Sequence, residues 1–196
     1  NYPYPVYNKS TWNSNDQFVS ISKVTHDIVS HVCPELDNAY IPHSVNHEMF
    51  KPIPKEDLAE FSENYFPTLE EERFVVFWNN RNARRKMSGS LVFWKEFLDK
   101  VGRDKAVLIM HTNPGDINGQ NLDAIKRDLG LTDQELIIDP QTVTQEFLSF
   151  CYNVSDVTIN ISDAEGFGLS TLESLSCGVP IIVNMTGGLQ EQVTDG

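Results

Sequence analysis

The sequence has 196 residues, with 15 basic and 28 acidic side chains and a formal net charge of -13. This length suffices for one full domain and a remnant of another, or for two small domains. The acidic balance argues against a nucleic-acid-binding protein or one held to anionic lipids. No apolar run approaches the length of a transmembrane segment. The three cysteines, Cys33, Cys151 and Cys177, lack metal-ligand spacing and are interpreted as buried thiols of a reducing compartment, which favours the cytoplasm.

The first part of the chain predicts a short strand and two helices. Residues 18–22 are predicted to form the strand, and the amphipathic stretch Lys23–Val32 is typical of a helix. Residues 39–41 are a further apolar run, which Pro42 closes. A second helix is predicted over Pro54–Phe66, where apolar side chains recur at spacings of three and four: Leu58, Phe61 and Tyr65.

Strands and helices alternate strictly from residue 74 onward. Phe74–Trp78 is an unbroken apolar run, as expected for a central parallel strand that is buried on both faces. Further strands are predicted over Ala106–Met110, Glu135–Ile138, Val157–Ile161 and Val179–Asn184. This alternation predicts an α/β fold, a Rossmann-like parallel sheet with helices on both faces.

Two of the helices between these strands carry specific predictions. Thr142 and Gln145 are spaced as a capping box at the start of the helix that follows the third of these strands. The helix after the first strand is expected to bury an apolar stripe: Leu91, Trp94, Leu98 and Val101.

A cluster of basic residues follows the strand over Phe74–Trp78. Arg81, Arg84, Arg85 and Lys86 lie within six positions of an otherwise acidic sequence. Loops at the carboxyl ends of parallel strands are where ligands bind in open α/β sheets, and guanidinium or ammonium groups there can neutralise a diphosphate. A basic solvated loop is the alternative on charge alone, but the position in the fold favours the phosphate role.

A glycine turn joins the fourth predicted strand to its helix. Gly166 and Gly168 deliver the chain into the helix N-terminus, where unpaired backbone N–H groups and the positive dipole end favour a phosphate. Glu165 and Glu173, on either side of the turn, would repel a phosphate and are better placed to accept hydrogen bonds from hydroxyl groups. A nucleotide-sugar, with a diphosphate between two polyols, fits this arrangement. In the alternative interpretation, Ser170 and Glu173 form only a capping box.

Three short motifs near the end of the chain occur in the order typical of one known family. They are Glu-Gly-Phe-Gly-Leu-Ser-Thr-Leu-Glu, with seven residues between its glutamates, then Cys-Gly-Val-Pro-Ile-Ile and Gly-Gly-Leu-Gln-Glu. This series resembles the donor site of the retaining GT-B glycosyltransferases, the glycosyl transferases group 1 family. Residues 41–52 are similar to the crossover between the two domains of that family, and Arg81 and Lys86 match the spacing of its Arg and Lys.

The resemblance implies a role for each part of the donor site. Glu165, Arg81 and Lys86 are the implied catalytic residues, because Glu165 would orient the sugar and the two cations would stabilise the leaving diphosphate. The implied contacts are Glu165, Gly166 and Phe167 to the sugar; Arg81, Lys86, Gly168, Leu169 and Ser170 to the diphosphate; Glu173 to the ribose; and Thr142 and Val143 to the base. The sequence has no Asp-x-Asp motif, so we predict no metal ion and no cofactor.

The same resemblance implies the domain organisation and the function. We expect residues 1–45 to be a remnant of the acceptor-binding domain with the crossover, and residues 46–196 to be an incomplete nucleotide-sugar-binding domain with little or no activity alone. The implied reaction transfers a sugar from a nucleotide-sugar to an unknown glycan, lipid or protein acceptor, with retention of configuration. A nucleotide-sugar epimerase of the same architecture and a non-catalytic nucleotide-sugar-binding module stay open as alternatives.

Overall fold

A computed structural model gives the fold and describes residues 8–67, 69, 72–83 and 87–193. Lys86, one of the predicted site residues, lies outside these described residues together with Arg84 and Arg85. Within the described ranges, no helix is both long and apolar enough to cross a membrane. The chain divides into two compact units: one comprises Asn1–Ser44, Ala164–Leu169 and Met185–Gly196, and the other Val45–Asp163 and Ser170–Asn184.

The first unit contains a two-stranded parallel sheet and an amphipathic helix. Its regular elements begin with α1 (Lys9–Trp12), β1 (Gln17–Ser20), α2 (Lys23–Val32) and β2 (Asp37–Tyr40), and a 3₁₀ segment follows at Gly187–Glu191. The Ser22 hydroxyl caps α2 by accepting the backbone N–H of Thr25. The bounds of α2 agree with those predicted, because its apolar spacing and its cap point to the same start.

The second unit carries the main sheet. Its elements, in chain order, are α3 (Lys55–Tyr65), β3 (Phe74–Asn79), α4 (Met87–Val101), β4 (Ala106–His111), α5 (Leu122–Asp128), β5 (Leu136–Asp139), α6 (Gln145–Asn153), β6 (Val157–Asn160), α7 (Leu169–Ser176) and β7 (Ile181–Val183). The first residue of α7, Leu169, belongs to the first unit.

The strands β3 to β7 form one parallel sheet in the order β5-β4-β3-β6-β7. The chain runs outward from β3 through β4 and β5, and then crosses back to place β6 on the other side of β3. Val76 of β3 therefore pairs with Leu108 on one side and with Val157 on the other. Strand order reverses between β3 and β6, and such a switch point is where open α/β sheets bind ligands. The predicted Rossmann-like fold is confirmed.

Apolar side chains fill both faces of this sheet. On one face Val76 and Trp78 pack with the inner sides of α4 and α5, and on the other face Val75 and Phe77 pack with those of α3 and α6. Phe77 and Trp78 have no exposed surface. Complete burial of such a side chain stabilises a fold by about 1.5–3 kcal/mol, so the unbroken apolar run of β3 is explained by its central position.

Two predicted helix faces differ from the structure at their ends. Val101 is 45% exposed and lies outside the buried stripe of α4. That stripe instead begins with Met87, one turn before Leu91, at the opposite end of the helix. Tyr65 is 58% exposed as the last residue of α3, although its ring still contacts Phe147 edge-on at 5.0 Å. The periodicity identified both helices but did not show which end of each apolar stripe leaves the core.

Candidate functional site: the glycine loop and two hydrogen-bonded clusters

The glycine loop before α7 belongs to the first unit and is held by residues that follow β7. The backbone N–H of Gly188 donates to the Glu165 carbonyl at 3.1 Å. The Gln192 Nε2 atom donates to two successive carbonyl oxygens, that of Phe167 at 2.7 Å and that of Gly168 at 3.1 Å. Gly168 has a φ of 93°, a left-handed conformation that favours glycine. Three carbonyl groups of the predicted anion-binding loop are thus fixed by hydrogen bonds.

Two adjacent glycines let the segment after β7 approach this loop closely. A Cβ atom on Gly187 would lie 1.8 Å from the Glu165 carbonyl oxygen, and one on Gly188 would lie 2.6 Å from the Gly166 carbonyl oxygen. Any side chain at these positions would displace the loop. The Gly-Gly pair of the third sequence motif is therefore a requirement of packing against the first motif.

The predicted sugar-binding residues differ in exposure. Glu165 is half-buried and Gly166 is exposed. Phe167 is only 7% exposed, and its ring packs edge-on against that of His43 at 5.3 Å between centroids. The Phe167 side chain is thus part of the packing of the first unit, and a contact to a sugar would come from its backbone.

Glu173, the predicted ribose-binding residue, lies in the second unit at the end of a chain of hydrogen bonds. The Tyr152 hydroxyl donates to Glu173 Oε2 at 2.6 Å and accepts from Asn79 Nδ2 at 3.0 Å. Tyr152 lies in the last turn of α6 without exposed surface, and Asn79 ends β3. Ser170 is the second residue of α7 rather than the residue before it, so the capping-box alternative is wrong.

The protonation of this pair follows from its burial. Burial raises the pKa of the Glu173 carboxyl above its ordinary value, and the hydrogen bond from Tyr152 opposes that rise. Burial also raises the pKa of the Tyr152 hydroxyl well above its usual range, and the adjacent Glu173 carboxylate adds to the increase. Tyr152 therefore stays protonated and acts as the donor, which leaves Oε1 of Glu173 able to accept a hydrogen bond from a ligand hydroxyl.

Arg81, in the loop after β3, forms a bidentate ion pair with Asp116. Its Nε atom lies 2.7 Å from Asp116 Oδ2, and its Nη2 atom lies 3.4 Å from Oδ1. The hydrogen bond from Arg81 lowers the pKa of the Asp116 carboxyl. The Arg81 side chain is 65% exposed, so its guanidinium can still meet an anion from solvent, although Asp116 compensates part of its charge.

Asn82 connects the loop after β3 to the loop after β4. It has no exposed surface, and its side chain donates to the Gln120 carbonyl at 2.6 Å and accepts the Gln120 N–H at 3.2 Å. A Cβ atom on Gly119 would lie 1.9 Å from the Asn82 carbonyl oxygen, which shows how closely the two loops approach. These contacts hold together the two loops that carry Arg81 and its acidic partner.

The predicted base-binding residues lie in the loop between β5 and α6. Thr142 is exposed and Val143 is half-buried. The capping box predicted from Thr142 and Gln145 is wrong, because Gln145 is the first residue of α6 and the cap is Thr144. The Thr144 hydroxyl accepts the N–H of Phe147 at 3.2 Å. Thr144 precedes the helix directly, whereas Thr142 lies two residues further upstream.

Part of the chain is similar to proteins of known family. Residues 115–196 match the model of the family described as Glycosyl transferases group 1. D-inositol 3-phosphate glycosyltransferase of Nocardiopsis dassonvillei is 40% identical over 72 residues, which is 37% of this chain and 16% of that protein.

Two solved structures share the fold over almost the whole chain. Sucrose-phosphate synthase from Thermosynechococcus elongatus has a TM-score of 0.78 at 22% identity, over 95% of this chain and 45% of its own. Anabaena Alr3699/HepE in complex with UDP and glucose has a TM-score of 0.74 at 17% identity, over 98% of this chain and 52% of its own. The chain thus spans about half the length of these structures. The match over residues 115–196 agrees with the family that the sequence motifs resemble, and the fold is shared with structures of GT-B glycosyltransferases.

Proposed function

We propose that this chain binds the nucleotide-sugar donor of a glycosyltransferase that transfers the sugar with retention of configuration. The observation that carries the proposal is the fixed glycine loop that continues into α7, the helix on which Tyr152 holds the Glu173 carboxylate. The first turn of α7 suits a phosphate, and an oriented carboxylate suits the hydroxyl groups of a ribose. The complex of Anabaena HepE with UDP and glucose, in a protein of the same fold, supports this class of donor.

Each proposed contact has a chemical reason. In the proposed reaction the nucleoside diphosphate leaves, and positive groups must stabilise the charge that develops on it. We propose that this charge is stabilised by two side chains, Arg81 and Lys86, and by the N–H groups of Gly168, Leu169 and Ser170. With these groups in place, the proposed transfer needs no metal ion. The sugar is proposed to be oriented by Glu165 and by the backbone of Gly166 and Phe167. Glu173 is proposed to bind the ribose, and the loop at Thr142 and Val143 is proposed to bind the base.

The remaining proposals concern the whole protein. We place the nucleotide-sugar-binding domain at residues 46–196 and the end of an acceptor-binding domain at residues 1–45. The acceptor is proposed to be a glycan, lipid or protein. The compartment is proposed to be the cytoplasm, which agrees with three buried cysteines that form no disulfide.

The proposal is tested by calorimetric titration of the chain with UDP, GDP and ADP in the presence of EDTA. We expect one of the three to bind, and we expect Arg81→Ala and Glu173→Ala each to weaken that binding about tenfold or more, since each removes a charged hydrogen-bonding group. Arg127→Ala and Glu96→Ala are the matched controls, because both residues are exposed on helices of the same unit. They should bind as the parent does.

Two outcomes would contradict the proposal. One is that none of the three diphosphates binds, and the other is that Glu173→Ala binds as tightly as the parent chain. Product analysis of the whole protein with the conjugate of the bound diphosphate separates the kinds of activity: a transferase releases the nucleoside diphosphate, an epimerase returns an altered sugar nucleotide, and a binding module does neither.

A further inference from the structure

Gln192 makes an unusual pair of contacts with the glycine loop. One side-chain nitrogen, Nε2, donates to the carbonyl oxygens of Phe167 and Gly168, which are consecutive in the chain. Both acceptors lie immediately before the first residue of α7. A single amide group therefore sets the direction of two successive peptide units at the entrance to the helix.

Peptide geometry converts these contacts into an orientation of N–H groups. In a trans peptide the C=O and N–H groups point in opposite directions, and none of the described peptide bonds is cis. The Phe167 carbonyl shares its peptide unit with the N–H of Gly168, and the Gly168 carbonyl shares its own with the N–H of Leu169. Because both oxygens face Gln192, both N–H groups face away from it. A hydrogen bond accepted by the carbonyl also polarises the peptide and strengthens its N–H as a donor.

The segment that carries Gln192 is itself held by hydrogen bonds from α2 and β2. The neighbouring Glu191 carboxylate accepts hydrogen bonds from the backbone N–H of Lys23, at the start of α2, and from the Tyr40 hydroxyl at the end of β2. Leu189, within the same 3₁₀ segment, has no exposed surface. The backbone that carries Gln192 is thus fixed, and the Gln192 amide can determine the position of the loop.

We propose that Gln192 is a positioning residue that directs the N–H groups of Gly168 and Leu169 toward the diphosphate of the donor. This inference rests on the proposed function, and it concerns a residue that does not itself touch the ligand. The amide nitrogen is essential to the role. A glutamate of the same shape has no N–H to donate and would place a negative charge against two carbonyl oxygens.

The test uses the full chain with Gln192→Leu, Gln192→Glu and, as a charge control in the same segment, Gln190→Glu. The probes are whichever of UDP, GDP and ADP the parent binds, titrated calorimetrically, and the matching nucleoside, titrated by NMR. We expect Gln192→Leu to bind the diphosphate about tenfold more weakly, Gln192→Glu to be weaker still, and Gln190→Glu to stay near the parent value. Nucleoside affinity should not change, and the amide resonances of Gly168 and Leu169 should shift in both Gln192 variants without ligand.

Three results would overturn the inference. If the parent binds a diphosphate and Gln192→Leu binds it equally well, Gln192 does not position the loop, although the proposed function stands. If Gln192→Leu loses diphosphate and nucleoside affinity in equal proportion, its role is general folding rather than positioning. If the parent binds none of the three diphosphates, the proposed function fails and the inference fails with it.

Discussion

Tyr152→Phe removes a single oxygen atom from the hydrogen-bonded chain of Asn79, Tyr152 and Glu173. The phenylalanine ring fills the same space, so the substitution leaves no cavity as large as a side chain. The lost hydroxyl donates to Glu173 at 2.6 Å and accepts from Asn79 at 3.0 Å. Tyr152 has no exposed surface, so water cannot take the place of its hydroxyl without rearrangement of α6.

The magnitude follows from these two hydrogen bonds. A hydrogen bond to a charged group contributes about 1.5–3 kcal/mol, and one between neutral groups about 0.5–1.5 kcal/mol. Glu173 and Asn79 are only half-buried, so water recovers part of the loss. We expect the free energy of unfolding to fall by about 2–3 kcal/mol, which for a protein of this size lowers Tm by about 4–12 °C. The pKa of Glu173 should rise further, because the contact with Tyr152 opposes its increase.

Urea unfolding followed by circular dichroism measures this change, with Tyr65→Phe as the control. Tyr65 is 58% exposed at the end of α3, so removing its hydroxyl should change the free energy of unfolding by less than about 0.5 kcal/mol. Equal midpoints and slopes for the two variants would refute the reasoning, because they would show that the buried hydroxyl contributes no more than an exposed one. A double-mutant cycle with Glu173→Gln then assigns the loss to the pair.

Two further predictions concern the loops and the pH. Asn82→Ala should lower the free energy of unfolding by about 2–4 kcal/mol, because it leaves backbone groups of Gln120 unpaired; urea unfolding checks this, and a loss below about 0.5 kcal/mol would contradict it. The pKa of Glu173 is higher in the folded state than in the unfolded chain. Glu173 therefore stabilises the fold at pH values below the ordinary glutamate pKa, and this stabilisation is lost as the pH rises through the raised pKa. The proposed ribose contact needs the ionised form of Glu173, so the affinity of the parent for the diphosphate, measured by calorimetry, should fall when the pH is below the raised pKa. The affinity of Glu173→Gln should change less with pH. The same pH dependence in both proteins would count against the ribose role.

The sequence predicted what depends on local periodicity. The apolar run of β3 and the amphipathic pattern of α2 could be predicted, because burial on two faces of a strand or on one face of a helix gives a regular spacing of apolar residues. The glycine loop was readable because a left-handed turn such as that at Gly168 restricts the residue type. The exposure of Val101 could not be predicted, since the end of an apolar stripe depends on what packs against it.

The partners of the site residues could not be predicted from local pattern. Tyr152 and Glu173 are separated by 21 residues, Gln192 and Phe167 by 25, and Arg81 and Asp116 by 35. Such pairs depend on how the strands are ordered, which no local spacing encodes. One signal was present for Tyr152: a tyrosine among apolar residues of a helix is expected to be buried, and a buried hydroxyl needs a partner. The sequence did not show that this partner would be Glu173.

The order of the strands also sets a sequence of events for assembly. β3 pairs with β4 after one helix, whereas its contact with the approach to β6, where the Asp156 carboxylate accepts the N–H of Val75 at 2.7 Å, closes a separation of 81 residues. Closing a longer loop costs more chain entropy. During synthesis β3, β4 and β5 therefore leave the ribosome and can pair while one edge of the central strand is still uncovered. The arrival of β6 closes that edge and brings α7 after it, so the proposed donor loop gains its native surroundings only after β3, β4 and β5 can pair.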